Sequence, residues 1–253
     1  MKKNILKEKI FIGQSVFGLW ITIKSPDVCE ILSYSGLDFQ ILDIEHGVFD
    51  ASNLGNCIRA IELNGGAPLV RVSGLYINEV QKALDLGAYG IIFPQVKNYK
   101  EALDAVSLCR FFPEGTRGFN PFVRAGCYGN KPLSVLNNEF PLISIIIENK
   151  EAFSNLDHIL TIKELDVIYL GVYDMSVALG CMGQVEDPSI IEFIKVASEK
   201  IIKAGKCVGV MVQDASLVRK YFDLGIKFIV IDVDSSLMRN SFQGKLSAFK
   251  EKI

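Results

Sequence analysis

A closed (β/α)8 barrel, the TIM barrel, is the fold this sequence predicts, as a single domain over residues 1–253. Three observations carry that expectation. Eight short apolar runs lie along the chain, and a segment of helical periodicity follows each. Within the runs both alternating positions are apolar, as in parallel strands buried on both faces. The length of 253 residues suits one barrel of roughly 250, and no linker, low-complexity tract or composition break divides the chain. A doubly wound open sheet is the competing arrangement, but a count of eight strand–helix pairs favours closure.

The first run spans Val16 to Ile21. After Lys24-Ser25-Pro26 a helix is expected from Asp27 to Ser35, with Ser25 or Asp27 near its N-cap and Gly36 at its end. The second run, Phe39 to Asp43, leads into Ile44-Glu45-His46-Gly47, and a helix follows from Asp50 to Leu63, stopped by Asn64-Gly65-Gly66. The third run is Pro68 to Val72 with Arg71 near its end; its helix covers Tyr76 to Leu86 and closes at Gly87. The fourth is Gly90 to Pro94, followed by a helix from Tyr99 to Phe111. From Pro113 to about Phe140 the chain is irregular and rich in Gly, Pro and Asn, and it carries Arg117 and Arg124. A stretch of that length inside a compact domain is commonly functional.

The fifth run, Leu142 to Ile147, ends at Glu148, with a helix from Ala152 to Ile162. The sixth, Val167 to Gly171, is followed by Val172-Tyr173-Asp174, where a short helical turn can start, and then by a helix from Pro188 to Ala204. The seventh is Val208 to Val212 with a helix from Ala215 to Leu224. The eighth is Phe228 to Ile231, then Asp232-Val233-Asp234 and a last helix over Leu237 to Lys252.

Composition narrows the function. Hydrophobic residues make up 49% against 22% charged, ample for one core. A formal net charge of −2 offers no field for nucleic acid or an anionic membrane. The basic start Met1-Lys2-Lys3-Asn4 is not followed by an apolar stretch of signal-peptide length, because Lys7, Glu8 and Lys9 interrupt it. No run is long enough to span a bilayer. Six cysteines without a Cys-x-x-Cys pair suggest reduced thiols and a cytoplasmic protein.

If the barrel closes, active groups belong at the carboxyl ends of its strands. Trp20 falls after the first strand, Asp43, Glu45 and His46 after the second, Arg71 at the third, Glu148 at the fifth and Asp174 at the sixth. Two carboxylates at neighbouring strand ends suit magnesium or manganese, which take one or two carboxylates plus water and substrate oxygens. Either acid could instead be an ordinary loop or cap residue, Asp174 as a helix N-cap in particular. Arg71 could clamp a carboxylate or an enolate oxygen, or pair with Asp43, Glu45 or Asp85. Asp85 stands near a helix C-terminus, an unfavourable place for an acid unless it has a partner.

One set of motifs runs through these strand ends. It comprises Leu42-Asp43-Ile44-Glu45-His46, Pro68-Leu69-Val70-Arg71-Val72, Leu84-Asp85-Leu86-Gly87-Ala88 and Gly90-Ile91-Ile92-Phe93-Pro94-Gln95-Val96. Gly115-Thr116-Arg117-Gly118, Ile146-Ile147-Glu148 and Gly171-Val172-Tyr173-Asp174-Met175-Ser176 complete it. In order and spacing, from about Gly18 to Asp234, the set resembles the HpcH/HpaI aldolases, the metal-dependent class II pyruvate aldolases of the phosphoenolpyruvate/pyruvate superfamily.

The resemblance implies Glu148 and Asp174 as ligands of a divalent metal (Mg2+, Mn2+ or Co2+) that pyruvate chelates, and Arg71 beside the keto oxygen. It implies His46, oriented by Asp85, as an acid/base dyad, with Asp43 and Glu45 ordering metal-bound water. Trp20, Gly171, Val172 and Tyr173 would line the substrate site. It further implies a homo-oligomer, usually a hexamer, in which the final helix packs on a neighbouring subunit. The expected reaction is reversible aldol cleavage of a 4-hydroxy-2-oxo acid to pyruvate and an aldehyde. Two departures stand out: Gly171-Val172-Tyr173-Asp174 replaces a usual Gly-Pro-x-Asp, and Phe119-Asn120-Pro121 replaces a usual Gly-x-Gly. The segment Asn120 to Tyr128, with Arg117 and Arg124, is expected to border the aldehyde pocket. A CoA-ester lyase of the citrate-lyase β or malyl-CoA type, and a non-catalytic barrel that binds a 2-oxo acid, are the alternatives.

Overall fold

The computed structural model describes residues 4–136 and 140–252; Met1 to Lys3 of the leading segment, residues 137–139 of the long irregular stretch, and Ile253 lie outside the described residues. Eight parallel strands close a barrel in sequence order: β1 (Val16–Ile21), β2 (Phe39–Asp43), β3 (Ala67–Arg71), β4 (Gly90–Phe93), β5 (Leu142–Ile147), β6 (Val167–Leu170), β7 (Cys207–Met211) and β8 (Phe228–Val233). The helices are α1 (Ile5–Phe11), α2 (Pro26–Ser33), α3 (Ala51–Leu63), α4 (Ile77–Asp85), α5 (Tyr99–Cys109), α6 (Leu133–Leu136), α7 (Lys150–Ser154), α8 (Leu156–Ile159), α9 (Val172–Leu179), α10 (Pro188–Lys203), α11 (Ala215–Asp223) and α12 (Asp234–Lys250). Among the described residues no helix is long and apolar enough to cross a membrane.

Side-chain alternation splits the apolar residues into two cores. Phe39 and Ile41 of β2, Ala67 and Leu69 of β3, Leu142 and Ile146 of β5, and Val167 and Tyr169 of β6 fill the barrel lumen. The intervening Leu42, Val70, Ile143, Ile145 and Ile168 pack outward with helix residues such as Ile58, Ala83 and Ile194. Each fully buried branched side chain is worth about 1.5–3 kcal/mol, which is what fixes the register. The same alternation, carried one step past the last lumen residue of each strand, aims Asp43, Arg71, Glu148 and Gly171 at the upper end of the lumen.

The floor of the lumen is closed by the stacked rings of Phe39 and Phe228, 4.1 Å between centroids. Gly18 is required there, since a Cβ would stand 2.2 Å from the Phe39 ring. Below them α1 inserts buried Leu6. Asn4 caps that helix by accepting from the Lys7 amide, and its side-chain amide donates to the Tyr89 carbonyl. Lys9 pairs with Asp38 at 2.5 Å. Nothing in the sequence pattern announced α1, whose apolar residues are interrupted by charged ones; Lys7 and Lys9 turn to Asp166 and Asp38.

Two further differences bear on the site. The helix expected over Ala152 to Ile162 is broken into α7 and α8. The long irregular stretch joins the end of α5 to the start of β5, so it crosses the floor of the barrel. Arg124 donates to the Leu86 carbonyl at 3.0 Å and pairs with Glu62, both at floor-side helix ends. Arg117 donates to Asp85 at 3.0 Å and covers the Phe111 ring at 4.6 Å. In addition, β8 carries a register slip against β1: Gly18 pairs with Val230, yet Trp20 pairs with Val233. The extra residue is a β-bulge.

Candidate active site

Asp43 and Arg71 are register partners at the upper ends of β2 and β3. The guanidinium grips the carboxylate through its Nε/Nη2 edge, Nε to Oδ1 at 2.9 Å and Nη2 to Oδ2 at 2.6 Å. Its Nη1 lies 3.1 Å from Glu45 Oε2. The Trp20 ring lies under the same cation, 4.4 Å from centroid to Cζ. Trp20 Nε1 in turn donates to the Tyr169 hydroxyl at 3.2 Å. Asp43 Oδ1 also accepts from the amides of Glu45 and His46, which turns the chain out of the strand. Burial alone would lower the Arg71 pKa, but the bonds and charge of Asp43 and the charge of Glu45 hold it above its usual value. Burial pushes the Glu45 carboxyl up, with Arg71 and His46 opposing. The result is a fixed cation that two carboxylates hold in one orientation.

Opposite stands Glu148, 3% exposed, at the end of β5. Its Oε1 accepts the Gln95 amide at 2.6 Å. Gln95 reaches that geometry with φ of 56°, the left-handed region that a non-glycine residue occupies at a cost of ~1–3 kcal/mol. Gly171 makes room for the carboxylate: a Cβ there would lie 2.5 Å from Glu148 Cβ and 2.9 Å from Oε2. Asp174 sits in the first turn of α9 and lines the same cavity. Burial, opposed by the Gln95 amide and reinforced by Asp174 and Glu45, pushes the Glu148 carboxyl up to about 7. Four carboxylates, Asp43, Glu45, Glu148 and Asp174, therefore face a single guanidinium. Among the described residues no group of three or more His, Cys, Asp or Glu side chains is arranged to hold a metal, so a cation here would rest on the Glu148–Asp174 pair and on oxygens from water or ligand.

The cavity at this end has a volume of about 270 Å3 and brings together Trp20, Asp43, His46, Arg71, Glu148, Gly171, Val172, Tyr173 and Asp174. Glu45 joins them through Arg71. Two expectations do not hold within the chain. Asp85 does not orient His46; it is paired with Arg117, and the charged neighbour of His46 is Glu45 at 4.0 Å. Asp85 ends a helix that runs from mouth to floor, so it lies at the wrong end of the barrel. Arg117, Arg124 and the segment Asn120 to Tyr128 do not border the cavity, because they precede β5 instead of following β4. Asp43 and Glu45 are both engaged with Arg71.

Several site residues escaped the sequence reading. Gln95 was visible only as part of a motif; its strained backbone has no signature in the residue type. Tyr169 could have been found by counting two positions back from Gly171 along β6. Asp234, 1% exposed, accepts from the amides of Thr22, Ile23 and Ser235 and from the Thr22 hydroxyl, tying the end of β1 to α12. Gln213 and Asp232 form part of the rim with Tyr173.

The model of the HpcH/HpaI aldolase/citrate lyase family matches residues 16–241. A hydroxypyruvate/pyruvate aldolase of Roseobacter denitrificans is 30% identical over 256 residues, covering 98% of this chain and 97% of that protein. A 4-hydroxy-2-oxo-heptane-1,7-dioate aldolase of Salmonella typhimurium is 29% identical over 249 residues, covering 98% and 95%. Among solved structures, an HpcH/HpaI aldolase/citrate lyase family protein from Burkholderia cenocepacia superposes with a TM-score of 0.93 at 26% identity, over 98% of this chain and 100% of that one.

Proposed function

The chain belongs to the HpcH/HpaI aldolase/citrate lyase family and is a carbon–carbon lyase, and from that premise we propose that it is a class II pyruvate aldolase, dependent on a divalent metal and acting on a 4-hydroxy-2-oxo acid. The observation that carries this reading is the cavity in which Arg71, immobilised by Asp43 and Glu45, faces Glu148 and Asp174. Among the described residues no lysine lines that cavity, so a Schiff-base aldolase finds no amine among them.

The residues fit a hard dication. Glu148 and Asp174 would hold it, and the surplus of negative charge around Glu148 is what such an ion would relieve. The donor set suits Mg2+ or Mn2+, and Co2+ is the third ion to test. When bound, the metal supplies Lewis-acid polarisation of the 2-oxo group. Arg71 stabilises the negative charge that develops on the 2-oxo oxygen; one preorganised donor of this kind is worth roughly 3–4 kcal/mol. It does so without reorganising, because its N–H groups are fixed before substrate arrives. Trp20 keeps water from the rear face of the guanidinium. His46, at the cavity edge beside Glu45, is the group suited to move the proton of the 4-hydroxyl, directly or through a water. Asp85 would meet a His46 only from a second copy of the chain.

A homo-oligomer is part of the same reading, a hexamer in its fullest form. Its support here is α12, which exposes Met238, Phe242, Leu246 and Phe249 along its length. A CoA-ester lyase is disfavoured because, among the described residues, no lysine and no arginine other than Arg71 lines the cavity, and Arg71 is assigned to the 2-oxo oxygen, which leaves none for the CoA phosphates. The test is an assay of pyruvate release and capture with a panel of aldehydes, with and without a chelator. Turnover should vanish on chelation and return with added metal. Activity that survives complete metal removal would sink the class II mechanism.

A further inference from the structure

The side of the mouth formed by β6, β7 and β8 carries a hydrogen-bonded chain that the reaction above leaves unused. The Tyr173 hydroxyl donates to Gln213 Oε1 at 2.7 Å, and Gln213 Nε2 donates to Asp232 Oδ1 at 2.7 Å. The same carboxylate oxygen accepts the Val233 amide at 2.7 Å, and Asp232 is only 6% exposed. The direction of these bonds is forced. A carboxylate only accepts, so the amide group of Gln213 must turn its NH2 toward Asp232 and its oxygen toward Tyr173. The phenol must then donate to Gln213. Its oxygen is left with lone pairs alone, on a residue that lines the cavity.

The charges around the cavity point the same way. Arg71 is the one arginine or lysine lining it among the described residues; Asp43 and Glu45 take three of its five N–H groups, and the 2-oxo group of the donor claims what remains. Asp174 borders the cavity and Asp232 stands behind the phenol. A second carboxylate on the aldehyde would meet lone pairs and negative charge; a hydroxyl would find an acceptor.

Resting on the aldolase reading, we propose that the Tyr173–Gln213–Asp232 chain determines the acceptor: a neutral, hydroxyl-bearing aldehyde that donates to the Tyr173 oxygen, in preference to an aldehyde that carries a carboxylate. In this the chain differs from the Salmonella relative, whose name specifies a 1,7-dioate.

The experiment uses the metal-loaded protein with pyruvate as donor and three acceptors: glyceraldehyde, propanal and succinic semialdehyde. For the wild type, kcat/KM should be higher for glyceraldehyde than for succinic semialdehyde by at least about 10-fold. In Tyr173→Phe the glyceraldehyde-to-propanal ratio should fall by about 3–10-fold, the worth of one neutral hydrogen bond, with the loss in KM for the aldehyde. Asp232→Asn frees Gln213 to turn over, and the semialdehyde-to-glyceraldehyde ratio should rise. Equal or better use of succinic semialdehyde by the wild type overturns the proposal, as does an unchanged set of ratios in both variants. Exchange of the pyruvate methyl protons with deuterium from solvent, followed without aldehyde, reports the aldolase reading separately. Exchange without the expected acceptor preference overturns this proposal alone; neither exchange nor turnover overturns both.

Discussion

Asp43→Asn isolates the strongest electrostatic commitment in the site. The Asp43 side chain is 2% exposed and Arg71 13%, so both charges are out of water. Removing one partner of a buried pair costs about 3–5 kcal/mol, mostly the penalty on the charge left behind. Two features place this case at the low end. Glu45 stays 3.1 Å from Nη1 and keeps part of the compensation. The asparagine oxygen can still accept from the amides of Glu45 and His46. The expected loss is therefore about 3 kcal/mol. For a chain of this length that amounts to a Tm lower by roughly 6–12 °C at fixed protein concentration. Urea denaturation of Asp43→Asn, Arg71→Met and the double variant gives the coupling directly, and about 2 kcal/mol is expected between the two sites. A single-variant loss below about 1 kcal/mol, or additivity within about 0.5 kcal/mol, would refute the claim that the two side chains act as one unit.

Glu148→Gln keeps an acceptor for the Gln95 amide but removes the charge; metal affinity by calorimetry should fall by about 100-fold or more, beyond the 10–100-fold typical of outer-shell changes, and turnover should go with it. Gly171→Ala should cost about 1–3 kcal/mol by overpacking and weaken metal binding too, because the new methyl collides with Glu148; a variant with unaltered affinity would contradict the close packing described. Arg124→Ala should lower stability by about 1.5–3 kcal/mol through the lost bonds to Glu62 and Leu86, read by urea denaturation; a change below about 0.5 kcal/mol would mean that the floor contacts are idle.

The barrel was legible because its signal is periodic and redundant: eight apolar runs, each followed by a segment of helical periodicity. Asp43, Arg71, Glu148 and Gly171 were legible for the same reason, as alternation alone sends them into the mouth. What failed was position along the barrel axis. Arg117 and Arg124 look like ligand-binding arginines in a long loop, but a loop that leads into a strand lies on the floor, and nothing in its composition says so. Asp85 failed for a related reason, since its motif lies close to Arg71 in sequence while the intervening helix carries it the length of the barrel. Gln95 and Asp232 were hidden in backbone geometry, a left-handed φ in one case and a slipped pairing in the other.

That slipped pairing of β8 offers a route to change that needs no side-chain substitution. With regular spacing, Asp232 would stand opposite Trp20, beside the indole and the guanidinium stacked on it. The extra residue puts Val233 there instead and leaves the acid free to meet Gln213. A gain or loss of one codon between Val230 and Val233 would therefore reverse the polarity of a whole wall in a single event. Length variation at this spot is accordingly the coarse adjustment of the cleft, and point mutation at Tyr173 the fine one.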